Sequence, residues 1–178
     1  MKDIQVITGC MFAGKTTELL NRLKLLNKKY LLVKPKLDTR DRETQICTHD
    51  GLFENAIQVH NLSEIWHSLK GIQVLGIDEA QFFNESIIVE IENIASKGVT
   101  IVIAGLEKDY LNKPFGCMDK IIAMSSSTTR LTADCNRCKN PATYSYRKQN
   151  YSKDQVLIGD ENQYEALCER CFPKKLKT

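Results

Sequence analysis

The sequence predicts an α/β fold: a mostly parallel β-sheet with helices on both faces, and a small cysteine-stapled module at the C-terminal end. Three observations carry that reading. Apolar runs rich in β-branched residues recur at 4–8, 30–34, 72–77 and 99–104 with helical patterns between them, the alternation of parallel β–α–β units. The first run leads directly into Gly9-Cys10-Met11-Phe12-Ala13-Gly14-Lys15-Thr16, a G-x-x-x-x-G-K-[ST] turn joining strand to helix, which makes the sheet a P-loop one of RecA-like type. Of seven cysteines, four form two Cys-x-x-Cys pairs, Cys135/Cys138 and Cys168/Cys171, both beyond the last strong apolar run.

Helices are expected at 16–27, where Leu19, Leu20, Leu23 and Leu26 share a face, at 63–69, and at 85–96, where Ile87, Ile88, Ile91, Ile94 and Ala95 do. From Glu107 to Met118 there is no sustained period, and Pro114 and Gly116 mark a loop. A short strand is expected at 121–124. The small polar cluster Ser125-Ser126-Ser127-Thr128-Thr129 suits a connection between modules better than a helix or a buried strand. The division is therefore 1–129 for a nucleotide-binding α/β domain and 130–178 for the second module.

A chain of 178 residues holds one ordinary core with a small appendage. A net charge of +3, with lysines spread out apart from Lys174, Lys175 and Lys177, is too small to argue for a nucleic-acid surface. Met1-Lys2-Asp3 lacks the apolar core of a signal peptide, and the apolar run 99–106 is far below membrane-spanning length, so the expectation is a soluble, cytoplasmic protein that acts at no membrane.

Two glycines let the 9–16 turn curl with its N–H groups inward, and the helix that follows adds partial positive charge; such a nest holds an anion. Lys15 is placed for the outer phosphates of ATP or GTP, and Thr16 to complete the coordination of Mg²⁺. The plain alternative is a glycine turn that happens to carry a lysine. The run 74–77 ends in Asp78-Glu79, a Walker B pattern, at the carboxyl end of a strand where open α/β sheets bind ligands. Asp78 would then face Thr16 across the Mg²⁺, leaving Glu79 to accept a proton from whatever attacks the γ-phosphate; the alternative is an exposed acidic turn. Arg40, in Asp38-Thr39-Arg40 after the second strand, reads equally as a group neutralising the transferred phosphoryl or as a solvated loop arginine. His49 reads as a structural turn residue.

The two Cys-x-x-Cys knuckles supply four thiolates, Cys135, Cys138, Cys168 and Cys171, for one tetrahedral structural Zn²⁺, and the intervening chain becomes a loop pinned at its base. A redox role is the lesser alternative. Cys10, Cys47 and Cys117 read as ordinary thiols. Within the pinned loop, Val156-Leu157-Ile158-Gly159 and then Tyr164 could bring backbone and a ring close to a flat base, or form a hairpin on the sheet.

These residues resemble a type II thymidine kinase, the group that includes the human cytosolic enzyme, almost end to end. The likeness rests on Gly-x-Met-Phe-x-Gly-Lys-Thr at 9–16, Asp38-Thr39-Arg40, Cys47-Thr48-His49-Asp50, Asp78-Glu79-x-Gln81-Phe82-Phe83, Lys113-Pro114-Phe115-Gly116, both cysteine pairs, and Ile158-Gly159 with Tyr164. The resemblance implies transfer of phosphate from ATP to the 5′-hydroxyl of thymidine, with Glu79 as proton acceptor, Arg40 assisting and Lys15 on the phosphates. The expected ATP-binding set is Gly9, Cys10, Met11, Phe12, Ala13, Gly14, Lys15, Thr16, Asp78, Glu79, Ala80 and Gln81. The resemblance further implies that Phe82, Leu106, Tyr110, Phe115 and Tyr164 line the nucleoside pocket, and that the zinc-pinned loop, the lasso, reads the base through backbone around Gln155, Val156, Leu157, Ile158 and Gly159. It also implies a homotetramer inhibited by dTTP. Two departures stand out: Asp160 where many relatives have a second glycine, and tyrosine at Tyr110 where phenylalanine is common.

Two other classes remain as alternatives. A P-loop ATPase with a zinc ribbon could remodel nucleic acid, although basic and aromatic residues are not interleaved. A regulatory nucleotide binder without turnover would have little need of Lys15, Asp78 and Glu79 together.

Overall fold

In the computed structural model, which describes residues 2–36, 45–47, 53–148 and 163–173, the apolar runs become strands of one parallel sheet. The elements in chain order are β1 (Ile4–Gly9), α1 (Lys15–Leu25), β2 (Tyr30–Pro35), β3 (Gln45–Cys47), β4 (Phe53–Asn55), β5 (Ile57–Val59), a 3₁₀ segment (Leu62–Leu69), β6 (Val74–Ile77), a 3₁₀ turn (Ala80–Phe82), α2 (Ser86–Ser96), β7 (Thr100–Ala104), α3 (Met118–Met124), β8 (Ser127–Leu131), β9 (Ala133–Asp134), β10 (Pro141–Ala142), β11 (Tyr144–Arg147) and β12 (Tyr164–Leu167). The central sheet runs β5-β2-β6-β7-β1-β8, with every neighbouring pair parallel.

Strand alternation sends side chains to two separate cores. Ile4, Val6, Val33, Leu75, Ile77, Ile101 and Ile103 face the layer formed by the 3₁₀ segment, α2 and α3. Ile7, Leu32, Val74, Val102 and Ala104 face α1 through Leu19, Leu20 and Leu23. Each fully buried aliphatic side chain contributes about 1.5–3 kcal/mol, so covering both faces is what makes unbroken apolar strands stable. Gly76 lets α1 lie close, because a Cβ there would stand 2.7 Å from Leu23 Cδ1.

Three local expectations are corrected. Residues 121–124 are not a strand but the end of α3: Met118 and Ile121, three apart, bury on the sheet while Asp119 and Lys120 face out. A short apolar run is ambiguous between the two states, and here helical spacing decides. The polar cluster at 125–129 is not a free connection, because Ser127–Leu131 forms edge strand β8, parallel to β1 from Gln5↔Ser127 to Gly9↔Leu131. An edge strand that stays partly exposed needs no apolar run, so composition hid it. The helix expected at 63–69 is 3₁₀ from Leu62. Its apolar residues Leu62, Ile65 and Leu69 fit the tighter turn, Glu64 reaches back to the N–H of His60 at 2.9 Å, and Glu90 of α2 accepts from Leu62 and Ser63.

Beyond β8 the chain builds two short antiparallel hairpins, β9–β10 and β11–β12. Their common core contains Cys135, Ala142, Ala166, Leu167 and Cys168, and it also takes in Cys10, Phe12 and Ala13 of the 9–16 turn. These hairpins are thus packed directly on the glycine turn.

Candidate active site

Three loops meet at the carboxyl ends of neighbouring parallel strands: 9–16 after β1, 78–83 after β6 and 105–117 after β7. This is the crevice that the topology opens. In the first loop, Gly9 (φ 146°) and Gly14 (φ 77°) take conformations other residues resist, and a Cβ on Gly9 would overlap the Leu131 carbonyl. Phe12 is held at φ 66° between them. The loop is tied from behind, where the Met11 N–H donates to Ser145 Oγ at 3.0 Å and Cys10 Sγ to the Ala142 carbonyl at 3.3 Å. Lys15 Nζ donates to the Cys10 carbonyl at 2.8 Å, folding over the loop it follows. Burial pushes the Lys15 ammonium below its ordinary pKa, while Glu79, Cys10 and Asp78 pull it back up.

Thr16 lies in the first turn of α1 and Asp78 follows β6, and the Thr16 hydroxyl sits 3.1 and 3.3 Å from the two Asp78 carboxylate oxygens. Asp78 is 5 % exposed. Burial first, and then the Glu79 charge, raise its pKa to about 7, against the Thr16 and Glu79 N–H hydrogen bonds and Lys15. A hydroxyl and a carboxylate facing each other in a site with excess negative charge are hard oxygen donors suited to a divalent cation.

Glu79 is held at φ 51°, a left-handed conformation that turns its side chain out of the strand direction. Its carboxylate accepts from Gln81 Nε2, and Gln81 Oε1 accepts from the Leu106 N–H at 2.9 Å. Gln81 is 3 % exposed, so both ends of its amide are engaged inside the protein. Gly116 (φ 56°) lies against the Gln81 carbonyl with no room for a Cβ, docking the third loop on the second. The Phe82 and Phe115 rings meet edge to face at 5.5 Å.

The third loop is pinned by a residue the sequence reading missed. Buried Asp109 accepts from the Leu111 and Lys113 N–H groups, both at 2.9 Å, in an Asx-type turn whose only sequence signal was an aspartate before a Pro-Gly stretch. Arg147 of β11 was missed too. It is 3 % exposed, its guanidinium lies 3.7 Å from the Tyr110 ring centroid, and its Nε and Nη2 donate to the Tyr164 hydroxyl at 3.1 and 2.9 Å.

The structure therefore gathers Gly9 to Thr16, Asp78, Glu79, Gln81, Phe82, Leu106 and Phe115 at the carboxyl ends of these strands, with Tyr110 and Tyr164 joined through Arg147, whereas Ala80 is fully buried in the core beneath them. Arg40, His49, Asp160 and the stretch Gln155, Val156, Leu157, Ile158, Gly159 lie outside the described residues.

The sulfur atoms of Cys135, Cys138, Cys168 and Cys171 all lie within 4.8 Å of one another, and those of Cys138 and Cys168 are 3.4 Å apart. A tetrahedral ion with bonds of about 2.3 Å sets its sulfurs about 3.8 Å apart, so the four could hold a metal ion. Each pair sits on a tight turn, with Lys139 N–H on the Cys135 carbonyl and Cys171 and Phe172 N–H on the Cys168 carbonyl. Burial opposes a Cys135 thiolate, yet backbone hydrogen bonds at Cys168, Arg137 and Cys138 bring it down to about 6. The Cys138 thiol and then burial push Cys171 up to about 12. These thiols therefore titrate together, backbone hydrogen bonds favouring thiolate and their mutual closeness opposing a second one, a repulsion that a bound cation relieves. Cys117, expected as an ordinary thiol, is buried near the Phe83 and Asn84 carbonyls, and its burial raises its pKa.

Among the described residues no helix is long and apolar enough to cross a membrane. A family model described as thymidine kinase matches residues 2–172. The chain is 41% identical over 174 residues to the thymidine kinase of Mycoplasma mobile, covering 94% of this chain and 86% of that one. It is 39% identical over 173 residues to that of Mesomycoplasma hyopneumoniae, covering 94% of each, and 39% identical over 175 residues to that of Porphyromonas gingivalis, covering 97% and 85%.

Proposed function

The chain belongs to the thymidine kinase family, and we propose from that premise that it transfers the γ-phosphate of ATP to the 5′-hydroxyl of thymidine to give TMP. The observation that supports this best is an unbroken run of contacts from the phosphate loop to the nucleoside side. Thr16 meets Asp78, Asp78 accepts from the Glu79 N–H, Glu79 accepts from Gln81, and Gln81 accepts from the Leu106 N–H.

In this reading the main-chain N–H groups of 9–16 and the start of α1 hold the phosphates, and Lys15 exchanges the Cys10 carbonyl for them. Thr16 and Asp78 would hold Mg²⁺, which when bound neutralises charge on the β- and γ-phosphate oxygens. The 5′-oxygen of thymidine bonds to the γ-phosphorus while its proton passes to the Glu79 carboxylate; the bond to the β-phosphate oxygen breaks, and ADP leaves with that electron pair. Gln81 keeps the carboxylate aimed at the acceptor. Arg40 assists at that hydroxyl on the sequence argument alone. Phe82, Leu106, Tyr110, Phe115 and Tyr164 line the nucleoside pocket, and 155–159 covers the base. The four cysteines hold structural Zn²⁺, with the nucleotide domain of 1–129 carried on to the end of β8 at Leu131 and the lasso domain following it. The same reading takes the enzyme as a cytoplasmic homotetramer inhibited by dTTP, acting on free nucleosides and not on nucleic acid.

The test is incubation with Mg·ATP and a panel of nucleosides. TMP from thymidine is the expected product. ATP hydrolysis stimulated by nucleic acid, with no nucleoside monophosphate formed, would replace the proposal with the remodelling ATPase.

A further inference from the structure

The tip of the third loop, Asp109-Tyr110-Leu111-Asn112-Lys113, closes on itself through its first residue. The Asp109 N–H donates to the Lys113 carbonyl at 2.9 Å, and the Asn112 N–H to the Asp109 carbonyl at 3.0 Å. Asp109 Oδ1 takes the Leu111 and Lys113 N–H groups, at 2.9 Å each. Asn112 turns the chain at φ 60°, a left-handed conformation that asparagine tolerates, and Pro114 beyond it has no N–H to place. Asp109 is buried, at 5 % exposure, while Asn112, Lys113 and Pro114 stand in solvent, so the staple lies on the protein side of the tip. The base of the loop is held separately, by the Lys108–Pro114 bridge and by the Phe115 N–H on the Glu107 carbonyl at 3.1 Å.

We propose that Asp109 is a positioning residue for the nucleoside: by fixing the tip it holds Tyr110 where thymidine meets it, while Leu106 and Phe115, at the base, keep their places without it. The inference rests on the reading above that Tyr110 lines the nucleoside pocket. A carboxylate one carbon beyond Cβ reaches the amides two and four residues on, and its charge strengthens both bonds. With alanine at 109 those two amides turn to water, and the tip samples several shapes of which one presents Tyr110 correctly. Thymidine then binds only the fraction of molecules in that shape. Its apparent affinity falls by that fraction, while the complex, once formed, is the same. The two bonds lost belong to the third loop alone, which leaves ATP binding as it was.

The test is steady-state kinetics on the full chain with each substrate varied in turn, with melting temperature and metal content as checks of folding. Asp109→Ala should raise KM for thymidine roughly tenfold, with kcat and KM for ATP within about twofold of wild type. Asp109→Asn keeps an oxygen that accepts both amides and should bring KM for thymidine back to within about threefold of wild type. If Asp109→Ala does not fold, Asp109→Asn and Asp109→Ser, whose hydroxyl is a weaker acceptor, carry the test, with KM for thymidine rising in the order aspartate, asparagine, serine. Adding Asp109→Ala to Tyr110→Ala should change KM for thymidine little, because the ring it positions is already gone. A lower melting temperature with KM for thymidine unmoved would show a merely structural turn and overturn the inference. So would a fall in kcat alone, both KM values rising together, an asparagine variant no better than alanine, or full additivity with Tyr110→Ala. The Tyr110→Ala variant also separates the failures. If it raises KM for thymidine and Asp109→Ala does not, the inference fails alone; if Tyr110→Ala and Phe115→Ala both do nothing, the pocket reading fails and takes the inference with it.

Discussion

Replacing Asp78 by asparagine should make the ligand-free protein more stable while it removes activity. The folded state holds this carboxyl at about 7 against an ordinary 3.8, because it is buried and faces Glu79. In the unfolded chain it ionises near its ordinary value. Between those two pH values the folded protein binds a proton that the unfolded chain has released, so stability falls as pH rises through that window and is flat above it. Each pH unit is worth about 1.4 kcal/mol. Asparagine gives up part of the hydrogen bonding to Thr16 and the Glu79 N–H that favours the carboxylate, which leaves a net gain of about 2 kcal/mol at pH 8. For a domain of this size that is a rise in Tm of roughly 4–8 °C. The assay is calorimetry of both proteins from pH 5 to pH 8 in magnesium-free buffer without chelator, so that the cysteine site is undisturbed. Titrating groups remote from Asp78 cancel in the difference, which leaves the crevice groups it faces, Glu79 and Lys15, inside the measured gap. The gap should widen from pH 5 to about 7 and then stay constant. Mg·ATP should stabilise the wild type far more than the variant. A variant less stable than wild type at pH 8, or a gap that does not change with pH, would refute this account of the Asp78 environment.

The remaining expectations concern the crevice and the cysteines. Glu79→Gln should keep ATP affinity nearly unchanged while kcat falls roughly 10²- to 10⁴-fold, measured by ATP titration and TMP formation; unchanged turnover would place the proton acceptor elsewhere. Gln81→Leu removes the group that aims Glu79 and should lower kcat by about tenfold, again with ATP affinity retained. Lys15→Ala should lose about 3–4 kcal/mol of transition-state stabilisation, read as a 10²- to 10³-fold drop in kcat/KM for ATP. Metal analysis should find one Zn²⁺ per chain, and Cys138→Ser should lose it, exposing β9–β12 to protease at temperatures where the central sheet still resists; four thiols found as disulfides in the native protein would overturn this.

By itself the sequence determined the layered sheet, the phosphate loop and the cysteine cluster, for one reason in each case. Unbroken β-branched runs at 4–8, 72–77 and 99–104 can be stable only when both faces are covered, and a glycine turn ending in Lys-Thr or a pair of Cys-x-x-Cys knuckles is a local geometry written in adjacent residues. Thr16 and Asp78 could be paired in advance because both follow turns at the carboxyl ends of strands in one parallel sheet. What only the tertiary structure decided lies where neighbours distant in sequence choose between local alternatives. Ile121 and Ile122 became helix because Met118 lies three residues before Ile121 over the sheet core, and Ser127 to Leu131 became a strand because the open edge of β1 was there to accept it. The buried roles of Gln81, Asp109, Ser145 and Arg147 were hidden for the same reason. Alternation in Tyr144-Ser145-Tyr146-Arg147 separates two faces, but ordinary polarity would turn the serine and arginine outward. Only the Phe172 ring on one side, and the phosphate loop with two tyrosines on the other, make the polar face the buried one.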